Sequence, residues 1–556
     1  MPSNLVRNRT FLASEATGLS IAEGLLKARP AAGLTVLDAN LRPRRIAYRD
    51  LAALAEQAAA SLRAHGVSAG DRVCLLSPTT EDLLITLFGI WRLGAAPVVV
   101  PRSRRTEAET VLEEVRQRVK ATQPALLVTT EQNAGLFAGR IGAPVVSLRR
   151  LREHTPAPGP SLPMPSPDSI GLLQFTSGTT AASRAVPVTQ AQLIGNIAAA
   201  GEHVGFGPED TYVSWLPLYH DMGIVSLAGL SAGGANIVTM PTEAFMQQPS
   251  AWMRTISDYG GTFTAAPSFA YWLAAKVQSL RPSPLDLSQL RIAVIGAEAI
   301  DAGALSGTQE TLGRYGFGPT AMCPMYGLAE ATLAVSGSSS TTPARVVGPA
   351  AGRDQAGEAR PERPLVSCGP AVAGTDVRIQ GADGGVLPEG AVGEVLVRGP
   401  GVTPGYWTAL GGADPDSRPD GWLATGDLGF LDAGELVICG RIKDMIIAGG
   451  RNLYPEDYET AAESVPGVRA GNVVAFSLPG QERMVVMAEI RSARTDLREL
   501  GREVRDTVSA AAEHAPHEVL LVRPGTLPKT SSGKRQRRMA RELYEKGVLD
   551  VLHTVS

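Results

Sequence analysis

Short apolar runs alternate with helical patterns through the first half of the chain. The runs DRVCLL (Asp71–Leu76), ALLVTT (Ala125–Thr130) and PVVSL (Pro144–Leu148) have the character of buried strands. Around them, apolar residues recur at helical spacing, as they do from Leu51 to Leu62. Because buried apolar strands joined by helices form sheets covered on both faces, this alternation predicts an α/β fold with a parallel sheet.

The length of the chain predicts several lobes. With 556 residues it exceeds a single ordinary core, since domains average about 150 residues. After the irregular stretch 337–364 the pattern changes, because CGPAVAGTDVRIQ and GEVLVRG alternate as strands do. From about Lys443, helices and strands alternate over the length of one small domain. We predict an N-terminal domain 1–442, with two α/β lobes and a β-rich lobe at about 366–440, and an α+β C-terminal domain 443–556.

The charge balance and the cysteines narrow the class of protein. A net charge of -3 gives no electrostatic reason to expect nucleic acid or an anionic membrane as a partner. The four cysteines form no CxxC pair, and several lie in apolar runs. This pattern favours buried reduced thiols over a disulfide framework or a metal site.

The best candidate for a membrane span is the segment from Leu83 to Val100. It contains Arg92, two glycines and Pro97, which favours a buried helix running into a strand. The first residues, MPSNLVRNRTFLASEATG, have no apolar core of the signal-peptide type. We therefore expect a cytoplasmic protein without a membrane segment.

The loop TSGTTAASRAV (Thr176–Val186) follows the apolar run GLLQF. Hydroxyl groups and backbone N–H groups after a strand suit a nucleotide phosphate. On its own the pattern is also that of an ordinary Ser/Thr-rich turn. The predicted nucleotide-binding residues of this loop are Thr176, Ser177, Gly178, Thr179 and Thr180.

Further motifs follow this loop in a fixed order. They are SWLPLYHDMG (214–223), MYGLAEATL (325–333), GWLATGDLG (421–429), GRIKDMIIAGGRNLYPEDYE (440–459) and PKTSSGK (528–534). The set resembles the adenylate-forming acyl ligases over nearly the whole chain. Because of SWLPLYHDMG, PSFAYWLA (267–274) and YGLAEATL, it is most similar to the fatty-acyl-AMP ligase branch. The resemblance implies a ligase that uses ATP and Mg²⁺ to activate a carboxylic acid as acyl-AMP, and then passes the acyl group to CoA or to an acyl carrier protein.

The resemblance also implies nucleotide-binding residues beyond the loop. Asp427 would accept the ribose hydroxyls, Arg441 would contact ribose or the α-phosphate, and Glu330 would hold Mg²⁺, which needs few protein carboxylates. Taken alone, Asp427 is better explained as a turn-capping residue, and a surface ion pair is the alternative role for Arg441. The remaining implied nucleotide contacts are Gly296, Ala297, Glu298, Met325, Tyr326, Gly327 and Leu328.

The implied catalytic residues are Lys534, His220 and Glu330. An ammonium group on a Gly-hinged loop can neutralise the charge that develops as the acid attacks the α-phosphate. A structural role for His220 stays an alternative, and Lys534 also opens the basic run KRQRR, whose default interpretation is a solvated face. The implied acyl-pocket residues are His220, Asp221, Ser268 and Gly296.

The resemblance makes the C-terminal domain a mobile cap. Lys443 matches the hinge of the family, and Gly449 and Gly450 match the segment that approaches the thiol tunnel. Rotation about this hinge would present Lys534 for the first step and the glycines for the second.

The phosphate loop departs from the family pattern. The family has Gly, Pro, Lys and Gly where this chain has Ala181, Ser183, Arg184 and Ala185. If either glycine position needs positive φ, alanine there costs about 1 kcal/mol or more. We therefore expect an acyl-CoA ligase whose adenylation step is weak or lost, and which mainly converts acyl-AMP from a separate adenylating enzyme, plus CoA, to acyl-CoA and AMP. The intact Lys534 argues for a complete reaction.

Two alternatives stay open. The first is a complete fatty-acyl-AMP ligase that loads an acyl carrier protein, and the second is a non-catalytic acyl-adenylate binding protein. Fatty-acyl-AMP ligases carry an insertion that hinders the swing needed for CoA. Here the span between Glu330 and Ser367 is short and polar for such an insertion, which favours CoA as the acceptor.

Overall fold

The computed structural model describes most of the chain. The described residues are 18–101, 108–154, 161–176, 184–348, 361, 363–408, 419–448, 451–478, 483–491, 496–511, 515–529 and 534–556. Within them, the structure is mixed α/β with a large N-terminal part and a small C-terminal part. The predicted fold class is therefore confirmed. The boundary after Ile442 stays a prediction.

An eight-stranded sheet forms the centre of the large part. Its inner strands pair in parallel, and an antiparallel strand closes each edge. In spatial order the strands are Ala334–Gly337, Met322–Gly327, Ile292–Gly296, Phe263–Pro267, Thr211–Ser214, Asn236–Thr239, Gly33–Leu37 and Pro43–Ala47. The strand Ile292–Gly296 is buried at every position, as expected for a sheet covered on both faces.

A second, fully parallel sheet contains the runs from which the α/β fold is predicted. Its strands, in spatial order, are Ala96–Val99, Arg72–Leu76, Leu126–Thr129 and Val145–Ser147. An antiparallel pair, Ile170–Phe175 with Ala185–Thr189, flanks the phosphate loop.

Helices cover these sheets. The membrane-span candidate forms the buried helix Glu81–Leu93 followed by the strand Ala96–Val99, as predicted. Within the described residues, no helix combines the length and the apolar character needed to span a bilayer. The other helices of the large part are Ile21–Lys27, Tyr48–Ala64, Ala108–Thr122, Glu131–Phe137, Leu148–Glu153, Gln190–Val204, Asp221–Ala232, Thr242–Gln247, Ser250–Asp258, Ser268–Leu280 and Ala302–Gly313.

Antiparallel strands follow, where the β-rich lobe is predicted. A four-stranded sheet consists of Asp376–Gln380, Gly393–Arg398, Leu423–Asp432 and Glu435–Arg441, and Val346–Val347 pairs with Leu365–Val366. The short 3₁₀ turns of this region and its borders are Ala329–Ala331, Pro419–Gly421 and Ile442–Asp444.

The C-terminal part has its own apolar cluster, which includes Ile446, Tyr458, Val486, Val504 and Leu521. A hairpin, Ile446–Ala448 with Arg451–Leu453, precedes a mixed four-stranded sheet. The strands of that sheet are Val468–Ser477, Met484–Ile490, Glu518–Val522 and Val551–Val555, and the helices are Pro455–Glu463, Leu497–Ala511 and Arg537–Glu545. All four cysteines are buried and free, as predicted.

Gly369 joins the large sheet to the β-rich sheet. Its carbonyl oxygen accepts a hydrogen bond from the Leu436 N–H, and a Cβ atom placed on it would lie 1.9 Å from the Gly337 carbonyl oxygen. Its φ of +69° also lies in the left-handed region that favours glycine. A side chain at this position therefore meets both a steric and a conformational barrier.

We expect Gly369→Ala to lower the free energy of unfolding by about 3 kcal/mol, because the new methyl group forces two backbones apart. Thermal or urea denaturation measures the loss. Gly307→Ala is the matched control, since Gly307 lies in the helix Ala302–Gly313 and a Cβ atom placed on it would have nothing within 4 Å. The control should be neutral or more stable by up to about 1 kcal/mol. Equal stability of the two variants would contradict the close backbone contact between Gly369 and Gly337.

Candidate active site

A buried carboxylate, Asp427, is the centre of the predicted ribose site. Strand pairing places it opposite Arg441, whose Nε lies 2.7 Å from Asp427 Oδ1. The Tyr326 hydroxyl donates a hydrogen bond to Asp427 Oδ2 at 2.7 Å. Burial, and then the Asp427 charge, raise the pKa of Tyr326 well above its usual value, so Tyr326 remains a donor. Three predicted nucleotide residues therefore form one connected group.

The group around Asp427 fits the ribose of a nucleotide. Each carboxylate oxygen accepts one hydrogen bond or ion pair from Tyr326 or Arg441 and has a second lone pair. Two neighbouring hydroxyls can therefore still be accepted. Arg441 keeps about half of its side chain exposed, with 48% relative accessibility, so it can also meet a phosphate.

Glu330 is held by a tyrosine that the sequence analysis missed. It lies in the turn Ala329–Ala331, and its Oε1 accepts a hydrogen bond from the Tyr406 hydroxyl at 2.8 Å. The guanidinium of Arg184 stacks over the Tyr406 ring at 4.9 Å from the centroid. The aromatic pair in PGYW, Pro404–Trp407, was the available signal. Arg184 therefore contacts the tyrosine that orients the predicted metal ligand.

A single oriented carboxylate suits Mg²⁺, which takes hard oxygen ligands and completes its shell with phosphate oxygens and water. Within the described residues, no group of three His, Cys, Asp or Glu side chains is placed to hold a metal by itself. The donor chemistry at Glu330 thus fits an ion that arrives with a nucleotide.

Only the borders of the phosphate loop are described. The Thr176 N–H donates to the Arg184 carbonyl oxygen at 3.0 Å, which closes the base of the loop. Ser177, Gly178, Thr179 and Thr180 lie outside the described residues, as do Ala181 and Ser183. Their predicted phosphate contacts stay predictions.

The GAE segment lies at the carboxyl end of a parallel strand. Gly296 ends the strand Ile292–Gly296 and approaches the Met325 carbonyl oxygen so closely that a Cβ atom would lie 2.4 Å from it. Ala297 follows with φ +65°. The Glu298 Oε1 accepts a hydrogen bond at 2.8 Å from the Phe269 N–H, in the first turn of the helix that Ser268 begins. This turn therefore connects two predicted nucleotide and acyl segments.

The segment Met325–Leu328 runs beside the GAE turn. A Cβ atom on Gly327 would lie 1.7 Å from the Leu333 carbonyl oxygen, and the Leu328 N–H donates to the same oxygen at 3.0 Å. The backbone is therefore tightly folded between Tyr326 and Glu330.

His220 precedes the helix Asp221–Ala232 and presents a neutral ring. Its Nε2 is buried and has no hydrogen-bond partner among the residues that the structure describes. Burial lowers the pKa of His220 to about 4; Asp221 opposes the shift and Lys534 adds to it. An unpartnered ring nitrogen is expensive to bury unless a ligand meets it, so His220 fits the predicted acyl pocket.

The charge of Lys534, in the C-terminal part, acts on the same region. Burial raises the pKa of Glu298, whereas the Phe269 N–H and the positive charges of Lys534, Arg535 and Lys529 oppose that rise. Lys534 therefore lies within electrostatic range of both Glu298 and His220.

Lys443 lies in the 3₁₀ turn Ile442–Asp444, between the two parts of the chain. Burial lowers its pKa, and Arg441 contributes in the same direction; Asp427 and Glu330 are among the acidic groups that oppose it. The predicted hinge is thus within electrostatic range of the predicted ribose and metal residues. Gly449 and Gly450 lie outside the described residues, so their role in the thiol tunnel stays a prediction.

The prediction of a solvated face for the run KRQRR is wrong for two of its arginines. Arg535 pairs with Glu459 at 2.6 Å and with Glu463 at 2.8 Å, and Arg537 pairs with Glu459 at 2.8 Å. The Glu459 side chain has no exposed surface. A buried carboxylate requires charged partners, and these partners come from a segment distant in the chain.

A large α/β part is thus followed by a small part whose Lys534 lies within electrostatic range of the neutral His220.

Comparison with known proteins agrees with this class. Residues 28–407 match the family model of the AMP-binding enzyme. The long-chain-fatty-acid–AMP ligase FadD26 of Mycobacterium marinum is 31% identical, covering 92% of this chain and 94% of that protein. The medium-chain-fatty-acid–acyl-carrier-protein ligase JamA of Moorena producens is 30% identical, covering 91% and 90%. A solved structure from a study of fatty acyl-adenylate ligases from E. coli and L. pneumophila has a TM-score of 0.86 at 30% identity, covering 96% of this chain and 99% of that one.

The chain therefore belongs to the AMP-binding enzyme family, within the fatty-acyl-AMP ligase branch of the adenylate-forming superfamily. The resemblance predicted from the motifs is confirmed, and the protein is a ligase of the acyl-AMP type.

The low pKa of His220 predicts a pH-dependent stability. As the pH falls through about 6.5, His220 gains a proton in the unfolded chain but stays neutral in the folded chain until about pH 4. The folded state therefore loses stability as the pH falls. From pH 7 to 5 this loss amounts to about 2 kcal/mol.

His220→Gln removes this titration while other groups continue to titrate in both proteins. We expect the wild type to lose about 2 kcal/mol more than the variant between pH 7 and 5, measured by urea denaturation at both pH values. Parallel pH dependences of the two proteins contradict a buried neutral His220.

Proposed function

We propose that the protein joins a carboxylic acid to AMP, using ATP, and transfers the acyl group to a pantetheine thiol. The observation that carries the proposal is the connected group of Asp427, Tyr326 and Arg441, together with a Lys534 whose charge acts on Glu298 and His220. A cation at this place is required while the acid attacks the α-phosphate, since negative charge then accumulates on the phosphate oxygens.

In the first step, an oxygen of the acid forms a bond to the α-phosphorus, and the bond to pyrophosphate breaks. Asp427, with Tyr326 and Arg441, holds the ribose, and Lys534 neutralises the developing charge. Glu330 would hold Mg²⁺, which would neutralise phosphate charge when bound. In the second step, a thiolate attacks the acyl carbon and AMP leaves.

The proposed acceptor is the pantetheine arm of an acyl carrier protein, with CoA as the alternative. Arg363 forms an ion pair with Asp457 and donates to the Cys439 carbonyl oxygen at 2.9 Å. The pair is largely buried, with 15% and 11% of the two side chains exposed, and it crosses the proposed domain boundary. A buried charge pair resists the rotation that CoA transfer needs.

The choice of a carrier protein differs from the sequence analysis, in which the short, polar span between Glu330 and Ser367 favoured CoA as the acceptor. Arg363 lies near the end of that span, and its ion pair with Asp457 supports a C-terminal domain that is restrained, although the span is polar. The name of the Moorena producens relative, an acyl-carrier-protein ligase, supports the same acceptor. A cytoplasmic location is part of the proposal, supported by the four free cysteines.

Lys534→Ala should lower ATP–pyrophosphate exchange by about 10²-fold or more, because one preorganised charge at the α-phosphate is lost. Transfer from a synthetic acyl-AMP to a thiol should stay near the wild-type rate, since that step does not use Lys534. Lys546→Ala, which removes an exposed lysine, is the control and should leave both steps unchanged. Normal exchange in Lys534→Ala overturns the proposal.

A second candidate rests on the phosphate loop. The sequence has Ala181, Ser183, Arg184 and Ala185 at positions where the family has Gly, Pro, Lys and Gly, and Arg184 stacks on Tyr406. A planar guanidinium held on a ring cannot replace a mobile ammonium at the phosphates. In this version the protein accepts acyl-AMP from a separate enzyme. This second candidate is favoured if the wild type shows no ATP–pyrophosphate exchange but still transfers the acyl group from acyl-AMP to the thiol.

The double substitution Arg363→Gln/Asp457→Asn tests the acceptor. It removes both charges together, so no unpaired charge stays buried. With synthetic acyl-AMP, we expect CoA thioester formation to rise about 10-fold relative to carrier-protein loading, because the rotation is less restrained. The outcome is measured by chromatography of both thioesters. An unchanged ratio, or a wild type that prefers CoA, contradicts the restraint.

A further inference from the structure

We propose that Arg535 is a positioning residue that aims Lys534 at the reacting groups. The inference rests on the proposed function, in which Lys534 supports the adenylation step. Arg535 itself pairs with two glutamates of the C-terminal part, Glu459 and Glu463. Its effect on the reaction would therefore pass through the backbone that it shares with Lys534.

The base of the lysine loop is closed on itself. Lys529 and Arg535 form an antiparallel bridge, and the Gln536 N–H donates to the Pro528 carbonyl oxygen at 3.0 Å. The Lys529 ammonium in turn donates to the Gly471 carbonyl oxygen at 2.8 Å. The two ends of the loop are thereby joined, and its orientation depends on what anchors this base.

Arg535 provides that anchor through a bidentate grip. One guanidinium nitrogen lies 2.6 Å from Glu459 Oε2, and the other lies 2.8 Å from Glu463 Oε1. Glu459 and Glu463 belong to the helix Pro455–Glu463, which packs against the C-terminal sheet. A planar fork between two carboxylates fixes direction as well as distance.

Backbone geometry transmits this direction to the lysine. In an extended, bridged segment, successive side chains point to opposite faces. Because Arg535 points toward Glu459 and Glu463, the preceding Lys534 is directed to the other face of the segment. The charge of Lys534 acts on both Glu298 and His220. A small rotation of the segment would move the ammonium away from the place where charge develops.

Arg535 can be replaced without leaving Glu459 unpaired. Glu459 also accepts hydrogen bonds from Arg537 Nε at 2.8 Å and from the Ala475 N–H at 3.0 Å. Glu463 keeps 18% of its side chain exposed and can be hydrated. Loss of Arg535 therefore removes the anchor of the loop and leaves the core of the C-terminal part paired.

The test compares the two half-reactions in the full-length protein. For Arg535→Gln we expect ATP–pyrophosphate exchange to fall about 10- to 100-fold, chiefly in kcat, because a misplacement of about 1 Å costs up to 10²-fold. Transfer from synthetic acyl-AMP to the thiol should change less than about 3-fold. Arg535→Lys, which restores one contact, should recover part of the exchange rate, and Glu463→Gln should show a smaller loss of the same kind.

Arg538→Gln is the matched control, since Arg538 forms an i,i+4 pair with Glu542 on the helix surface. It should leave exchange unchanged. Equal loss in both half-reactions of Arg535→Gln and of Glu463→Gln indicates a structural role and overturns the inference, as does normal exchange in Arg535→Gln. If Lys534→Ala itself keeps normal exchange, the proposed function fails; if only Arg535→Gln does, the inference alone fails.

Discussion

The buried carboxylate of Asp427 is the interaction on which the arrangement of the site depends. It receives the Tyr326 hydroxyl from the large sheet and the Arg441 guanidinium from the β-rich sheet. A charge with 3% exposure is tolerated only when donors surround it, so the two sheets must meet where Asp427 lies. Glu330, four residues after Tyr326, and Lys443, two residues after Arg441, are thereby brought to the same region.

A second buried carboxylate, Glu459, organises the C-terminal part in the same way. Arg535, Arg537 and the Ala475 N–H satisfy it, and Arg537 also reaches Asp444 beside the hinge at 3.0 Å. Burial raises the pKa of Glu459, but the two arginines outweigh burial and lower it overall. The loop of Lys534 and the hinge turn are therefore parts of one charged network.

Much of the fold follows from local pattern. The four parallel strands of the second sheet are predictable because a continuous apolar strand is stable only in a sheet that is covered on both faces. The helix Glu81–Leu93 is predictable as one of the elements that supply such cover. The positions of Asp427, Arg441 and Lys534 follow from motif resemblance. Tyr406 and Arg535 were missed because their roles depend on partners 76 residues away, Glu330 and Glu459 respectively.

The sequence by itself determined the alternation of strands and helices, the order of the motifs and the presence of a lysine in PKTSSGK, because these are properties of neighbouring residues. Only the tertiary structure decided which charges are buried. The run KRQRR has the composition of a solvated face, yet Arg535 and Arg537 are partly buried and form ion pairs with the fully buried Glu459. The physical reason is that a charged side chain can be buried only where an oppositely charged partner lies next to it. Such partners come from distant parts of the chain, so only the tertiary fold determines which charges are paired.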